Sequence, residues 1–260
     1  MAVAAEYSAI IYAVQDTPGA WGSYLEEKMG GKAVLNHSID TFDDDASCAE
    51  ILIVPDAPTR EWIGGNPLSF ASPKQRVMPL GKTRAESVHH AVAEARKSVV
   101  VIHDALRPNF GAELLARLLA AAEKEEAVAA AWPDSGPQVE LKAAAGGGEK
   151  LKQPEGFFGP RAEQRLGHAG QRFAGGTLWT VQYPQAFRRE SYLRAAEKAG
   201  KSLSRYTDDS EMVAAGGCQV ALVRGRLENI RLSGQDELRL LQKLLGTPPK
   251  KKDKYGGLGW

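Results

Sequence analysis

The sequence predicts an α/β fold with a mainly parallel sheet covered by helices on both faces. The first reason is rhythm: apolar runs of strand length, Ser8 to Val14, Ile51 to Pro55, Arg76 to Pro79, Ser98 to Ile102 and Val128 to Trp132, alternate with amphipathic helical stretches. The second is the character of the runs. SVVVIHD is apolar without alternation, the pattern of a strand covered on both sides. The third is capping chemistry. Thr83-Arg-Ala-Glu86 precedes SVHHAVAEA, so a threonine hydroxyl and a glutamate carboxylate are placed to satisfy amides that a helix start leaves without partners.

Along the chain, the strand from Ser8 runs into Gln15-Asp16-Thr17-Pro18-Gly19-Ala20-Trp21-Gly22. The Thr83 helix follows the Arg76 strand and leads to the Ser98 strand. From Pro133 to Gly176 the rhythm stops: glycines and prolines, including AAAGGG, come with scattered charges and no sustained period. This excursion is either a disordered surface insertion or an arm that leaves the domain and packs on a second subunit. Strand and helix resume with TLWTVQYPQAF and a helix to about Ala199, then TDDSEMVAAGG, the strand CQVALV and the turn GRLEN. Ser233-Gly-Gln-Asp236 opens a last helix through DELRLLQKLL, stopped by Gly246 and Pro248-Pro249. The expected organisation is one domain over 1–247 with the arm 133–176 inserted, and a solvated basic tail over 248–260.

Composition excludes several classes. The 260 residues carry 33 Lys+Arg against 32 Asp+Glu, a net charge of +1, so no overall field holds nucleic acid or an anionic membrane. No apolar run approaches the length of about 18 residues that suggests a membrane helix, and Met1 to Tyr7 lacks the basic and apolar parts of a secretory signal. A cytoplasmic setting is expected. Cys48 and Cys218 lie far apart without CxxC spacing and are expected to be two buried, reduced thiols.

Among local motifs, Gly81-Lys82-Thr83 resembles the end of a phosphate loop, but a Walker loop needs glycine where Arg76 stands, and Pro79 removes an amide nearby. His89 and His90 point in adjacent helical directions and cannot share a metal as an i, i+4 pair would. His103-Asp104-Ala105-Leu106-Arg107-Pro108 is more informative. It sets a carboxylate and a guanidinium at the carboxyl end of a buried strand, where ligands of open α/β sheets collect. Such an Asp can hold Mg²⁺ against a phosphate and such an Arg can neutralise one, although an Asp–Arg pair bracing a loop fits the same residues. Thr207-Asp208-Asp209-Ser210 adds an acidic cluster at a helix start, where N-capping accounts for one carboxylate. Asn229-Ile230-Arg231 adds a cation.

These segments, in this order, resemble the methylerythritol phosphate cytidylyltransferases of the non-mevalonate isoprenoid pathway and the similar polyol-phosphate cytidylyltransferases. The likeness runs through GGKAVLNHSIDTF, GKTRAESVHHAV, VIHDALRP, TLWTVQYPQAF and TDDSEMVAAGGCQVALVRGRLENIRLSGQDELRL, the last being the most specific. It implies a three-layer Rossmann-like fold of the nucleotide-diphosphosugar transferase type and a homodimer joined by the arm. It also implies transfer of CMP from CTP to a polyol phosphate with Mg²⁺. By the same resemblance, Gly81, Arg84 and Ser87 lie near the nucleotide, Asp104 and Glu228 near the metal, and Thr207 and Asp208 near the acceptor. Arg107 and Arg231 act on phosphate, Arg231 standing where the family has lysine.

The sequence also departs from that family. The family's first strand enters a loop of the form A-A-G-x-G-x-R-M followed by P-K-Q, whose amides and cations surround the triphosphate. Here Asp16 and Pro18 occupy that loop, and Met1 to Glu27 contains no Lys or Arg. Lys82 replaces an acidic residue, and Gly175 or Gly176 stands near the place of an arm arginine. Loss of one stabilising donor costs about 10²–10³ in rate, roughly 3–4 kcal/mol. Two outcomes are open: a phosphate site rebuilt from Lys28, Lys32, Lys82 or Arg172, or an inactive homologue that serves as a binding or regulatory subunit.

Overall fold

A computed structural model describes residues 6–15, 23–136, 138–143, 167–174 and 178–246. The strands are β1 Tyr7–Ala13, β2 Lys28–Met29, β3 Lys32–Ala33, β4 Cys48–Pro55, β5 Gln75–Val77, β6 Val99–Asp104, β7 Ala127–Pro133, β8 Gln138–Ala143, β9 Gly167–Phe173, β10 Trp179–Arg188 and β11 Ala221–Arg224. The α-helices are α1 Val34–Asp43, α2 Ala57–Gly65, α3 Arg84–Glu94, α4 Ala112–Ala122, α5 Arg189–Ala199, α6 Asp209–Ala215 and α7 Gln235–Gly246.

Seven strands form one sheet in the order β11-β7-β10-β6-β1-β4-β5. β1 is parallel to both β4 and β6, β4 to β5 and β7 to β11, whereas β10 runs antiparallel to β6. The expected mainly parallel sheet is therefore present. Its two faces are separated by the pleat, which sends neighbouring residues to opposite sides. Ala9, Ile11, Ile51, Ile53 and Val101 pack with Leu35, Ile39 and Phe42 of α1, Leu114 and Leu118 of α4 and Leu238 and Leu241 of α7. Ile10, Leu52, Val54, Val100 and Ile102 pack with Val88 and Val92 of α3, Tyr192 of α5 and Met212 and Val213 of α6. Each such side chain, fully removed from water, contributes roughly 1.5–3 kcal/mol. The absence of alternation in SVVVIHD follows from this double coverage, since Val99 through Asp104 are all buried.

From β1 the chain continues toward β4 on one side, and from β6 toward β7 on the other, although β1 and β6 are neighbours. A crevice is left outside their carboxyl ends, where Tyr12 and Asp104 are register partners.

The chain divides into two compact units, residues 1–131 with 181–260, and residues 132–180. The second contains an antiparallel ladder of β8 with β9, with Gln138 opposite Phe173 and Ala143 opposite Gly167. Part of the excursion is thus regular β-structure, which its lack of apolar period did not announce. Residues 144–166, the two glycines 175 and 176, the loop 16–22 and the tail 248–260 lie outside the described residues.

Several ends differ from expectation. β4 begins at Cys48 rather than Ile51, because Tyr7 N donates to Ser47 O at 3.1 Å and Ser8 Oγ to Glu50 Oε1 at 2.7 Å, extending the pairing with β1 past the apolar run. Cys48 is buried and its thiol is pushed up to about 11 by that burial. Cys218 is not: it is partly exposed, following the short helix α6.

Candidate active site

Asp104 closes β6 and is buried at the sheet's carboxyl edge. Its Oδ1 accepts the Leu106 amide at 3.1 Å, which shapes the turn, and its Oδ2 accepts Arg231 Nε at 2.8 Å. Arg107, three residues on, donates from Nη1 to the Asn229 carbonyl at 2.8 Å, and Leu232 N donates to Leu106 O at 2.7 Å. The segments 104–107 and 229–232 are thereby fastened together. Burial depresses the Arg107 pKa, with Asp104 opposing and Arg231 adding to the shift. One carboxylate thus stands between two guanidinium-bearing side chains that repel each other, an arrangement suited to an anion with several oxygens.

The loop carrying Arg231 hangs from β10. Gln182 works there as a side-chain copy of a strand: Nε2 donates to Arg226 O at 2.8 Å, and Arg226 N donates to Oε1 at 3.1 Å. Gly225 is required for this approach, since a Cβ there would lie 2.1 Å from Gln182 Oε1. Asn229 Nδ2 donates to Tyr183 O at 2.6 Å.

On the segment Gly81–Ser87, Thr83 caps α3 as expected, accepting Glu86 N at 3.2 Å, while Glu86 Oε2 accepts from Lys82 N at 3.0 Å, one residue before the cap. Ser87 is fully buried. It donates to Thr83 O at 2.7 Å and accepts Gly81 N at 2.9 Å, so its hydroxyl shapes the Gly81 turn. Arg84 donates to Tyr183 Oη at 2.7 Å and to Asp209 Oδ2 at 2.6 Å, and its guanidinium lies 5.4 Å from the Tyr12 ring centre and 5.2 Å from that of Tyr183. Burial is the largest single influence and works against its charge, but the Asp209 carboxylate and the Tyr183 and Tyr192 phenols together outweigh it and hold the pKa above its ordinary value.

At the start of α6, Asp208 is the one carboxylate of the acidic cluster that caps the helix: Oδ1 accepts Glu211 N at 3.1 Å and the Ser210 hydroxyl, and Oδ2 accepts Gln185 Nε2 at 2.7 Å. Thr207 beside it is exposed. Glu228 is exposed and faces Arg226 at 3.7 Å. Among the possible replacement cations, Lys32 is ion-paired with Asp40, Lys28 and Lys82 are exposed, and the Arg172 side chain lies outside what the structure describes. His89 and His90 have rings 6.1 Å apart on the α3 surface, and no group of three His, Cys, Asp or Glu able to hold a metal occurs among the described residues.

Mg²⁺ does not need such a group. It takes most of its six positions from water and phosphate and commonly one or two from protein carboxylates. Asp104 fits that requirement, because a carboxylate offers about four lone-pair sites and the Leu106 amide and Arg231 are its two named donors. Glu228 is drawn to Arg226.

Asp209 was not singled out in sequence, where it reads only as part of the acidic cluster Thr207–Ser210 at a helix start. Its role comes from partners at 84, 183 and 192, too distant in sequence for local pattern to reveal.

Known proteins resemble this chain over most of its length. The family model for 2-C-methyl-D-erythritol 4-phosphate cytidylyltransferase (IspD) matches residues 22–138 and 168–247. A bifunctional enzyme IspD/IspF of Anaeromyxobacter dehalogenans is 33% identical over 222 residues, covering 85% of this chain and 52% of that protein, so the chain spans about half of that relative's length. A 2-C-methyl-D-erythritol 4-phosphate cytidylyltransferase of Alkaliphilus metalliredigens is 28% identical over 252 residues, 94% of this chain and 95% of the relative. In fold, the chain matches 4-diphosphocytidyl-2C-methyl-D-erythritol synthase from Anaerococcus prevotii with a TM-score of 0.73 at 20% identity, covering 94% of this chain and 97% of that one. The fold is thus the Rossmann-like nucleotidyltransferase fold of those structures, and no helix among the described residues is long and apolar enough to cross a membrane. With the greater part of its length matched by the family model, the chain belongs to the 2-C-methyl-D-erythritol 4-phosphate cytidylyltransferase family.

Proposed function

We propose that this chain transfers CMP from CTP to 2-C-methyl-D-erythritol 4-phosphate or a similar polyol phosphate. The observation that carries the reading is the Asp104–Arg231 pair with Arg107 at the carboxyl edge of β6, in a chain of this family. An acceptor phosphate oxygen attacks the α-phosphorus of CTP; the new P–O bond forms as the bond to the bridging oxygen of the β-phosphate breaks, and pyrophosphate leaves with that electron pair. Such a transfer depends on positioning and charge more than on covalent help from the protein. Arg107 and Arg231 hold phosphate oxygens, with Arg231 oriented by Asp104. Gly81, Arg84 and Ser87 form the nucleotide edge, and Thr207 and Asp208 the acceptor edge. Asp104 would hold Mg²⁺, which would supply positive charge to offset that of the phosphates. The proposal includes a homodimer through the arm 133–176, supported by the excursion from the strand–helix rhythm and the ladder within it.

A second reading is favoured by the absence of Lys and Arg from Met1 to Glu27: a homologue that keeps the scaffold and acceptor pocket as a binding or regulatory subunit. Calorimetric titration with CTP and Mg²⁺ separates the two. Micromolar binding that disappears in Asp104→Ala supports the enzyme; no heat at millimolar CTP supports the inactive homologue.

A further inference from the structure

Asp209 takes no part in the proposed chemistry, yet it joins three elements around one carboxylate. It is 3% exposed. Oδ2 accepts Arg84 Nη2 at 2.6 Å and Tyr183 Oη at 2.9 Å, and Oδ1 accepts Tyr192 Oη at 3.0 Å. Arg84 opens α3, Tyr183 lies on β10, Tyr192 lies on α5, and Asp209 itself opens α6 directly after the acceptor-edge residues Thr207 and Asp208. Burial, with Asp209 adding to it, raises both phenols, so they remain O–H donors throughout the range in which an enzyme works.

We infer that Asp209 is a positioning residue for nucleotide binding, fixing Arg84 between the rings of Tyr12 and Tyr183 and so setting the nucleotide-edge segment relative to the β6 end. The chain of contacts is continuous. Asp209 orients the Arg84 guanidinium, whose planar fork accepts one geometry against a carboxylate and two aromatic faces. Tyr12 beneath it is the strand partner of Asp104. Arg84 is the first residue of α3, immediately after the Thr83 cap, and Ser87 on the next turn holds the Gly81 turn through its hydroxyl. A displaced Arg84 therefore moves the start of α3 and the turn attached to it.

A purely structural role for this network predicts something different. Loss of a buried partner would lower the folded fraction but leave the folded molecules with normal affinity. Calorimetry distinguishes these because stoichiometry reports the competent fraction and Kd reports the site. The inference rests on the nucleotide-edge reading of Gly81, Arg84 and Ser87. With CTP and Mg²⁺ as the probe, Asp209→Asn is expected to raise Kd roughly tenfold or more at near-normal stoichiometry, and Arg84→Lys to raise it similarly, because an ammonium cannot reproduce the fork. The double variant is expected to be no worse than the poorer single one, as for residues acting as one unit. If Asp209→Asn does not fold, Asp209→Glu provides the same readout. A folded Asp209 variant with wild-type Kd and only a reduced stoichiometry or thermal midpoint overturns the inference alone. Absence of CTP binding by the wild-type protein overturns the cytidylyltransferase reading and this inference with it.

Discussion

Two buried aspartates, Asp104 at the carboxyl end of β6 and Asp209 at the start of α6, each engage an arginine, and the difference between them separates chemistry from placement. Asp104 receives one turn amide and one guanidinium, beside a second arginine whose pKa is depressed by burial. Asp209 receives a guanidinium and two phenols. The first corner combines a carboxylate that can still accept a cation with two guanidinium groups near it. The second is closed on itself, and its carboxylate serves the residues around it. An aspartate paired with arginine is thus no mark of catalysis by itself; the remaining coordination capacity and the position relative to the strand end decide.

The comparison is broken most directly at Asp104. Asp104→Asn keeps the side-chain shape, so its expected effect is a loss of about 10³ in kcat with a smaller change in the Kd for CTP. Steady-state pyrophosphate release at saturating CTP and acceptor measures it; an intact kcat would place Asp104 with Asp209 as a purely organising residue. Arg231→Lys comes next. The family has lysine at this position by resemblance, and Asp104 accepts a single bond from Arg231 Nε, so a loss of only about tenfold in kcat is expected. A loss as large as that of Asp104→Asn would show that this site has adapted to the guanidinium.

A smaller effect concerns the floor of the Asp104 corner. His103 is fully buried, its Nε2 lies 3.1 Å from Ser38 Oγ, and burial lowers its pKa from 6.5 to about 3. As pH falls below 6.5 the unfolded chain binds the proton first, so this residue subtracts stability progressively between pH 6.5 and about 3. Urea unfolding of wild type and His103→Gln across pH 7 to 4 is expected to show the wild-type advantage shrinking by roughly a kcal/mol per pH unit. A constant difference would mean that His103 is protonated in the folded state or not displaced from its ordinary value.

Much of this architecture was legible in the sequence because it depends on local pattern. SVVVIHD declared a strand covered on both faces, and Thr83, the cluster Thr207–Ser210 and Ser233-Gly-Gln-Asp236 declared helix starts. Asp104, Arg107 and Arg231 could be grouped from the sequence because strand ends collect ligands and because the order of segments resembles one family, and the structure brings them together. The rest was hidden for a physical reason. Gln182 binds the Arg226 backbone across 44 positions and Arg84 meets Asp209 across 125, distances over which neither helical nor strand period carries information. The hydrogen bonds of Ser87 with Thr83 and Gly81 were not legible, since a hydroxyl on a helix gives no sign of its direction. The β8–β9 ladder was missed because the alternation in Gln138–Ala143 spans only six residues, and its partner Gly167–Phe173 carries two glycines and only Ala169 and Phe173 as apolar residues.

Whether the Asp104 corner transfers CMP without the cations usual in the first loop of its family is the central question. Pyrophosphate release from CTP and Mg²⁺, measured with and without 2-C-methyl-D-erythritol 4-phosphate, addresses it most directly. Release that requires the acceptor, saturates with it and is lost in Asp104→Asn is the predicted result. No acceptor-dependent release from a protein that still binds CTP would contradict it.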